Sequence, residues 1–199
     1  MDEKEATVGL DEARDAVEKI ARRLGLLHLC FARAAVDELG EAQGRELIKK
    51  AIWAYGTYIG QETRERVIAQ GLEPTPENFG RGSDLSPIGF NHGTTTVDGE
   101  ELLLSFGCAM ADVWREHGEE DLGGLYCLVD PAKMQAYDPD WTMVHIWKIP
   151  EGDDCCRIAV RPVGDEPTDR GDCANRRCAS PGEAPSKPES PRRREGAHD

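Results

Sequence analysis

Long apolar runs are absent from this chain: no stretch approaches the roughly 20 residues needed to span a bilayer. The opening segment MDEKEATVGLDEARDAVEKIARR has no basic start followed by an apolar run, so it does not read as an export signal. Together these absences predict a cytoplasmic protein with no membrane partner. Basic charge is also in short supply. Against 38 acidic residues stand 24 basic ones, a formal net charge of −14, and such a field repels nucleic acid unless cations cluster. The only cluster, Arg192-Arg193-Arg194, falls near the end of a polar tail, so nucleic acid is not an expected partner. No phosphate-binding glycine loop, dinucleotide fingerprint, HExxH or GxSxG is present, which argues against phosphoryl transfer, dinucleotide chemistry and serine hydrolysis.

What the chain does have is cysteine: seven, an odd number. With no export signal, free thiols or a metal site are favoured over a full disulfide framework. At 199 residues the chain suits one domain with a substantial core. We read residues 1–10 as a flexible N-terminus, 11–163 as a single domain and 164–199 as a disordered tail. That tail is rich in Pro, Ser, Gly, Arg and Glu and has too little apolar surface to offset its ordering entropy. It holds Cys173 and Cys178, which lack the two further close ligands of a zinc knuckle.

Apolar residues from Val17 through Ile20, Leu24 and Leu27 recur at three- and four-residue steps, predicting a first helix with Gly25 as a kink or break. After Leu39-Gly40, a second helix is expected from about Gln43 to Gln70. Residues 72–93, with Pro74, Pro76 and Pro87, read as a long loop carrying His92. Thr94–Val97 and Glu101–Phe106 are β-prone runs around an Asp98-Gly99 turn. A helix is expected after Cys108 and another near Leu122–Tyr126, before a second strand pair in WTMVHIWKI and CCRIAVRPV. In the first of these strands, alternation places Met143, His145 and Trp147 on one face. Helices, hairpin, helices, hairpin predict an α+β fold: an N-terminal helical hairpin packed on a small antiparallel sheet.

The chemistry-bearing residues concentrate in one block, where Cys108 stands at a strand-to-helix junction, Cys127 and Asp130 are three apart, and Cys156 starts a strand. On a helix, residues at i and i+3 share a face, so Cys127 and Asp130 can address one centre. Two chemistries suit such a cluster. Cys108, Cys127, Cys156 and Asp130 can ligate Zn²⁺, which activates water when one coordination position stays open. Alternatively one thiol is a nucleophile and Asp130 or His145 moves protons; Cys108 is best placed to have its pKa lowered by a helix N-terminus. The plainer alternative is that the cysteines fill core and Asp130-Pro131 starts a turn. His92, and Arg64 and Arg66 as a bidentate fork, are candidates for holding a small ligand. The expected partners are thus a small-molecule substrate or ligand and, in assembly, a second copy in a homodimer.

The succession ELGEAQGRELIKKAIWAYGTYIGQETRERV, FGCAMADVWREHGEEDLGGLYCLVDPAKMQAYDPDW and IPEGDDCC resembles the L-2-amino-thiazoline-4-carboxylic acid hydrolase family, over about Leu26 to Val160. The likeness is carried by Ala54-Tyr55-Gly56, Cys108, the Tyr126-Cys127-x-x-Asp130 unit, and Gly152 followed by Cys156. It implies hydrolytic opening of a 2-amino-thiazoline ring to N-carbamoyl- or S-carbamoyl-cysteine, with Cys108, Cys127, Asp130 and Cys156 at the centre and Tyr126 against the substrate. Cys155 beside Cys156 departs from the pattern. A fainter resemblance to the 4-vinyl reductase domain implies a zinc-containing ligand-binding or sensor module as the second reading.

Overall fold

The computed structural model describes residues 7–83, 85, 88 and 91–165. The expectations for residues 1–6, for the tail beyond Asp165, and for Cys173 and Cys178 lie outside the described residues.

The chain opens with α1 (Leu10–Leu39) and α2 (Glu41–Ala69). A single residue, Gly40 at φ +77°, reverses direction between them, its N–H closing α1 on the Val36 carbonyl at 2.8 Å. Only glycine adopts that backbone without penalty. Gly25 does not break α1, which runs on to Leu39. A Cβ there would sit 2.9 Å from the Met110 Cα, so this glycine exists to admit a neighbouring helix.

The stretch read as a loop is more ordered than expected: Pro76–Gly82 is a 3-10 helix and β1 (Asn91–Val97) begins before Thr94, so His92 is a strand residue. β2 (Glu100–Phe106) follows through Asp98-Gly99, both at positive φ (51° and 86°), the backbone that a two-residue type I′ hairpin demands. Next come α3 (Ala109–Glu116), the short α4 (Glu120–Gly123), a 3-10 turn (Gly124–Leu128) and α5 (Val129–Tyr137). Pro131 lies in the first turn of α5, where its missing N–H costs nothing. β3 (Trp141–Trp147) and β4 (Cys156–Pro162) complete the fold.

The two hairpins join into one antiparallel sheet, in the order β1-β2-β4-β3, so the architecture is α+β as the sequence predicts. One face assignment needs correction. His145 pairs with Ile158 but Trp147 pairs with Arg157, so an irregularity at Ile146 puts Trp147 on the opposite face from His145. The Arg157 guanidinium lies 3.5 Å from the Trp147 ring centroid on that face.

Helix α5 is held between α2 and strand β3, while α3 packs on α1. One core group joins Leu29, Ile48, Ile52, Trp114 and Val129; a second joins Val67, Met134, Tyr137 and Met143. Gly56 and Gly60 set the α2–α5 distance: a Cβ at Gly56 would meet the Ala132 Cβ at 2.7 Å, and one at Gly60 the Lys133 carbonyl oxygen at 2.1 Å. Those contacts leave no room for a methyl group. The backbone bearing Asp130 and Lys133 is thereby fixed against α2.

Candidate functional site

Each chemistry-bearing side chain reaches the centre from a different element. Cys108 follows the positive-φ Gly107 and caps α3 from an extended conformation (φ −139°). Cys127 lies in the 3-10 turn one step before Asp130 in the first turn of α5. Cys156 is the first residue of β4. His92, Ser105 and Cys156 form one row across β1, β2 and β4, and directly paired residues share a face. Cys156, not Cys155, is the strand cysteine whose sulfur feels Cys108 and Asp130. Cys155 is fully buried and disulfide-bonded, whereas Cys30, Cys108, Cys127 and Cys156 are free thiols.

Asp130 is the electrostatic hub. Its Oδ1 accepts from Lys133 Nζ at 2.7 Å and its Oδ2 lies 2.9 Å from His145 Nε2, with 19% of the carboxylate side chain exposed and 6% of the imidazole. Burial alone would push the Asp130 carboxyl up. Lys133 and the His145 hydrogen bond outweigh it and hold the group below the ordinary carboxylate range. An ionised carboxylate only accepts, so in the neutral imidazole Nε2 carries the proton and Nδ1 is the lone-pair atom. Nδ1 is buried and has no hydrogen-bond partner among the described residues.

The thiols respond in the opposite direction. Burial pushes all three up, Cys156 to about 11, and Asp130 opposes their ionisation further, joined at Cys127 and Cys156 by the neighbouring sulfurs. They differ in what counteracts this. At Cys108 the backbone N–H dipoles of Met110 and Ala111 at the start of α3 favour the thiolate, although the sulfur accepts no capping hydrogen bond. Cys156 receives only the Ile149 N–H, at 3.5 Å, and Cys127 has no backbone donor, only the distant charge of Lys148. Cys108 is therefore the sulfur on which negative charge is best supported. Of the three it is the one lining an open cleft of about 380 Å³, between Gly107 and Gly152.

Tyr126 is 9% exposed, with its phenol hydrogen-bonded to Tyr55 and its acidity reduced chiefly by burial. It feels both Asp130 and Cys108, which puts the Tyr55–Tyr126 pair at the edge of the cluster. His92 is pulled down by burial and by Lys133, with Asp130 partly offsetting them. Arg64 is not available as a carboxylate fork, because it donates to the Tyr137 carbonyl at 2.6 Å and ties α2 to the end of α5. Arg66 is likewise engaged, with Glu62 at 2.8 Å.

Lys133 was not singled out in the sequence, and Tyr55 entered only through the Ala54-Tyr55-Gly56 unit of the family resemblance, with no role at the site. A signal for Lys133 existed in the 127-130-133 spacing, three residues on one helical face, but Pro131 concealed the helix. For zinc, the donor set does not fit as expected. Among the described residues no three His, Cys, Asp or Glu side chains come together closely enough to hold a metal ion, and both Asp130 oxygens are already engaged.

Fold and site together define an α+β protein with a buried carboxylate–imidazole pair set among free thiols. Residues 13–160 match the L-2-amino-thiazoline-4-carboxylic acid hydrolase family, and the chain belongs to it. Neither a curated protein nor a solved structure matches the chain significantly.

Proposed function

We propose that this protein hydrolyses a small cyclic amidine of the 2-amino-thiazoline-4-carboxylate type, with Cys108 as nucleophile and the Asp130–His145 pair as proton carrier. Family membership supports hydrolase chemistry of this kind. The observation that carries the residue assignment is the buried Asp130–His145 pair, its Nδ1 unpartnered among the described residues, with Asp130 in electrostatic reach of the Cys108 thiol at the start of α3.

In the proposed reaction Cys108 loses its proton to the imidazole and attacks the amidine carbon between the ring nitrogen and sulfur. The ring carbon–sulfur bond breaks, and the departing sulfur takes up the proton as a thiol. Water then adds to the same carbon, Cys108 leaves, and N-carbamoyl-cysteine is released; the sum is substrate plus one water. General acid–base transfer of this kind contributes typically about 10²–10⁴-fold to rate. Lys133 offers a cation for the substrate carboxylate, and Tyr126 with Tyr55 offers a wall and a hydroxyl. No step requires a metal.

The test is to incubate the protein with 2-amino-thiazoline-4-carboxylate, follow thiol release, and acid-quench for intact mass. Turnover with a substrate-mass adduct on the Cys108 peptide, both lost in Cys108→Ser, is the expected result. Absence of turnover would remove the hydrolase reading and leave a ligand-binding module. Turnover undiminished in Cys108→Ser would remove the covalent step.

A further inference from the structure

Helix α1 carries two apolar faces, and only one of them is used within the chain. The inner face presents Gly25, His28, Leu29 and Ala32, all buried. A second stripe runs along its flank through Leu10, Ala13, Val17, Ile20, Leu24, Leu27, Phe31 and Ala34, an unbroken alternation of three- and four-residue steps. That is the a/d repeat of a helix built to pack against another helix. The stripe is solvent-facing: Leu10 is 52% exposed, Ile20 64%, Leu24 37%, Leu27 53% and Phe31 69%. A contiguous exposed apolar strip of this size marks an interaction surface.

We infer that this stripe is a homodimer interface, in which α1 of one chain packs along α1 of a second copy. The charge pattern selects that occupant. The chain as a whole is strongly acidic, at −14, yet the positions bordering the stripe and not buried within the chain are Arg14, Ala16, Ala21, Arg23, Cys30, Ala35 and Asp37, with a single acid among them. Two acidic molecules meet here with less repulsion than a typical acidic surface would impose, whereas a basic partner would find little to recognise. The area suits it as well. From Leu10 to Ala34 a helix runs about 37 Å, and at about 10 Å across it presents roughly 400 Å² per copy, or about 800 Å² in all. Flanking Leu26 and Cys30, both exposed, bring the total near the ~1,000 Å² at which specific interfaces begin. This inference is independent of the reaction proposed above.

The experiment is sedimentation velocity of the full chain across a concentration series, for wild type, the double variant Leu27→Glu/Phe31→Glu, Phe31→Ala alone, and Val97→Glu at the β1–β2 hairpin as control. Wild type is expected to be a dimer at micromolar concentration. Truncating one central anchor in Phe31→Ala should weaken it about tenfold or more, and the double variant should be monomeric with unchanged helical circular dichroism. Val97→Glu should remain dimeric. A wild type that is monomeric throughout the series overturns the inference, as does a dimer that survives both α1 variants or that Val97→Glu dissociates equally.

Discussion

Four free cysteines with different surroundings should differ measurably in reactivity. Cys30 is exposed in the single chain and, lying beside the α1 stripe, should alkylate first in protein dilute enough to be monomeric. Of the three at the centre, Cys108 has the backbone dipoles at the start of α3 and cleft access, Cys156 has one donor, and Cys127 has neither. Timed alkylation read by peptide mass spectrometry should give the order Cys30, Cys108, Cys156, Cys127 at neutral pH; Cys127 reacting before Cys108 would show that the helix terminus does not govern. Asp130 makes a different prediction. Replacing it with asparagine leaves Lys133 and His145 without an anion in a mostly buried setting, where breaking such a pair costs on the order of 3–5 kcal/mol. Thermal denaturation of Asp130→Asn should show a large loss, and an unshifted midpoint would contradict the hub role. At this scale the sequence was informative. Cys108, Cys127, Asp130, Cys156, His145 and His92 stand out by residue type and spacing. Lys133 does not, because a lysine on an acidic protein is unremarkable until its partner is known, and Tyr55 was marked only by the family resemblance and not as a site residue.

Elements set where those groups meet. α5 delivers both Asp130 and Lys133, and it can lie on α2 only because Gly56 and Gly60 have no side chains. Gly60→Ala would push a methyl into the Lys133 carbonyl, and overpacking of this kind typically costs about 1–3 kcal/mol. Activity should fall with it, since the displaced backbone is the one next to Asp130. Gly71→Ala is a useful comparison: that position has open space but a φ of +75°, so it tests backbone strain without displacing α5. Chemical denaturation and turnover of both variants separate the two effects; a Gly60→Ala protein with wild-type stability and rate would refute the spacing argument. The front helices were legible from their apolar period. α5 was not, because a proline in a first helical turn looks like a turn signal. The flip of Trp147 was equally hidden, since a bulge leaves no mark in residue alternation.

For the whole molecule, pH dependence follows from groups that burial and pairing have shifted. His28, packed between Trp114 and Tyr126, is lowered by burial, and His92 is lowered too. An unfolded histidine takes its proton near pH 6.5 while these resist, so the unfolded state binds more protons below that pH and stability falls as pH drops. Asp130, also lowered, extends the loss to lower pH still. At the alkaline end Cys156 is raised from 9.0 to about 11, so the stability it contributes is lost as pH rises from 9 through 11. Thermal midpoints should therefore be highest between pH 6.5 and 9; a midpoint still climbing at pH 5 would contradict this. How the hairpins combine was not readable in advance, because β2 meets β4 across 50 intervening residues and no local pattern encodes that pairing. The proposed hydrolysis rests on the protein's own groups around Asp130. It is tested most directly by the rate of thiol release from 2-amino-thiazoline-4-carboxylate by chelator-treated wild type alongside Asp130→Asn. Full activity after chelation, with a loss of about 10²-fold or more in the variant, is the predicted result. Activity abolished by chelation and restored by zinc, or unchanged in Asp130→Asn, would contradict it.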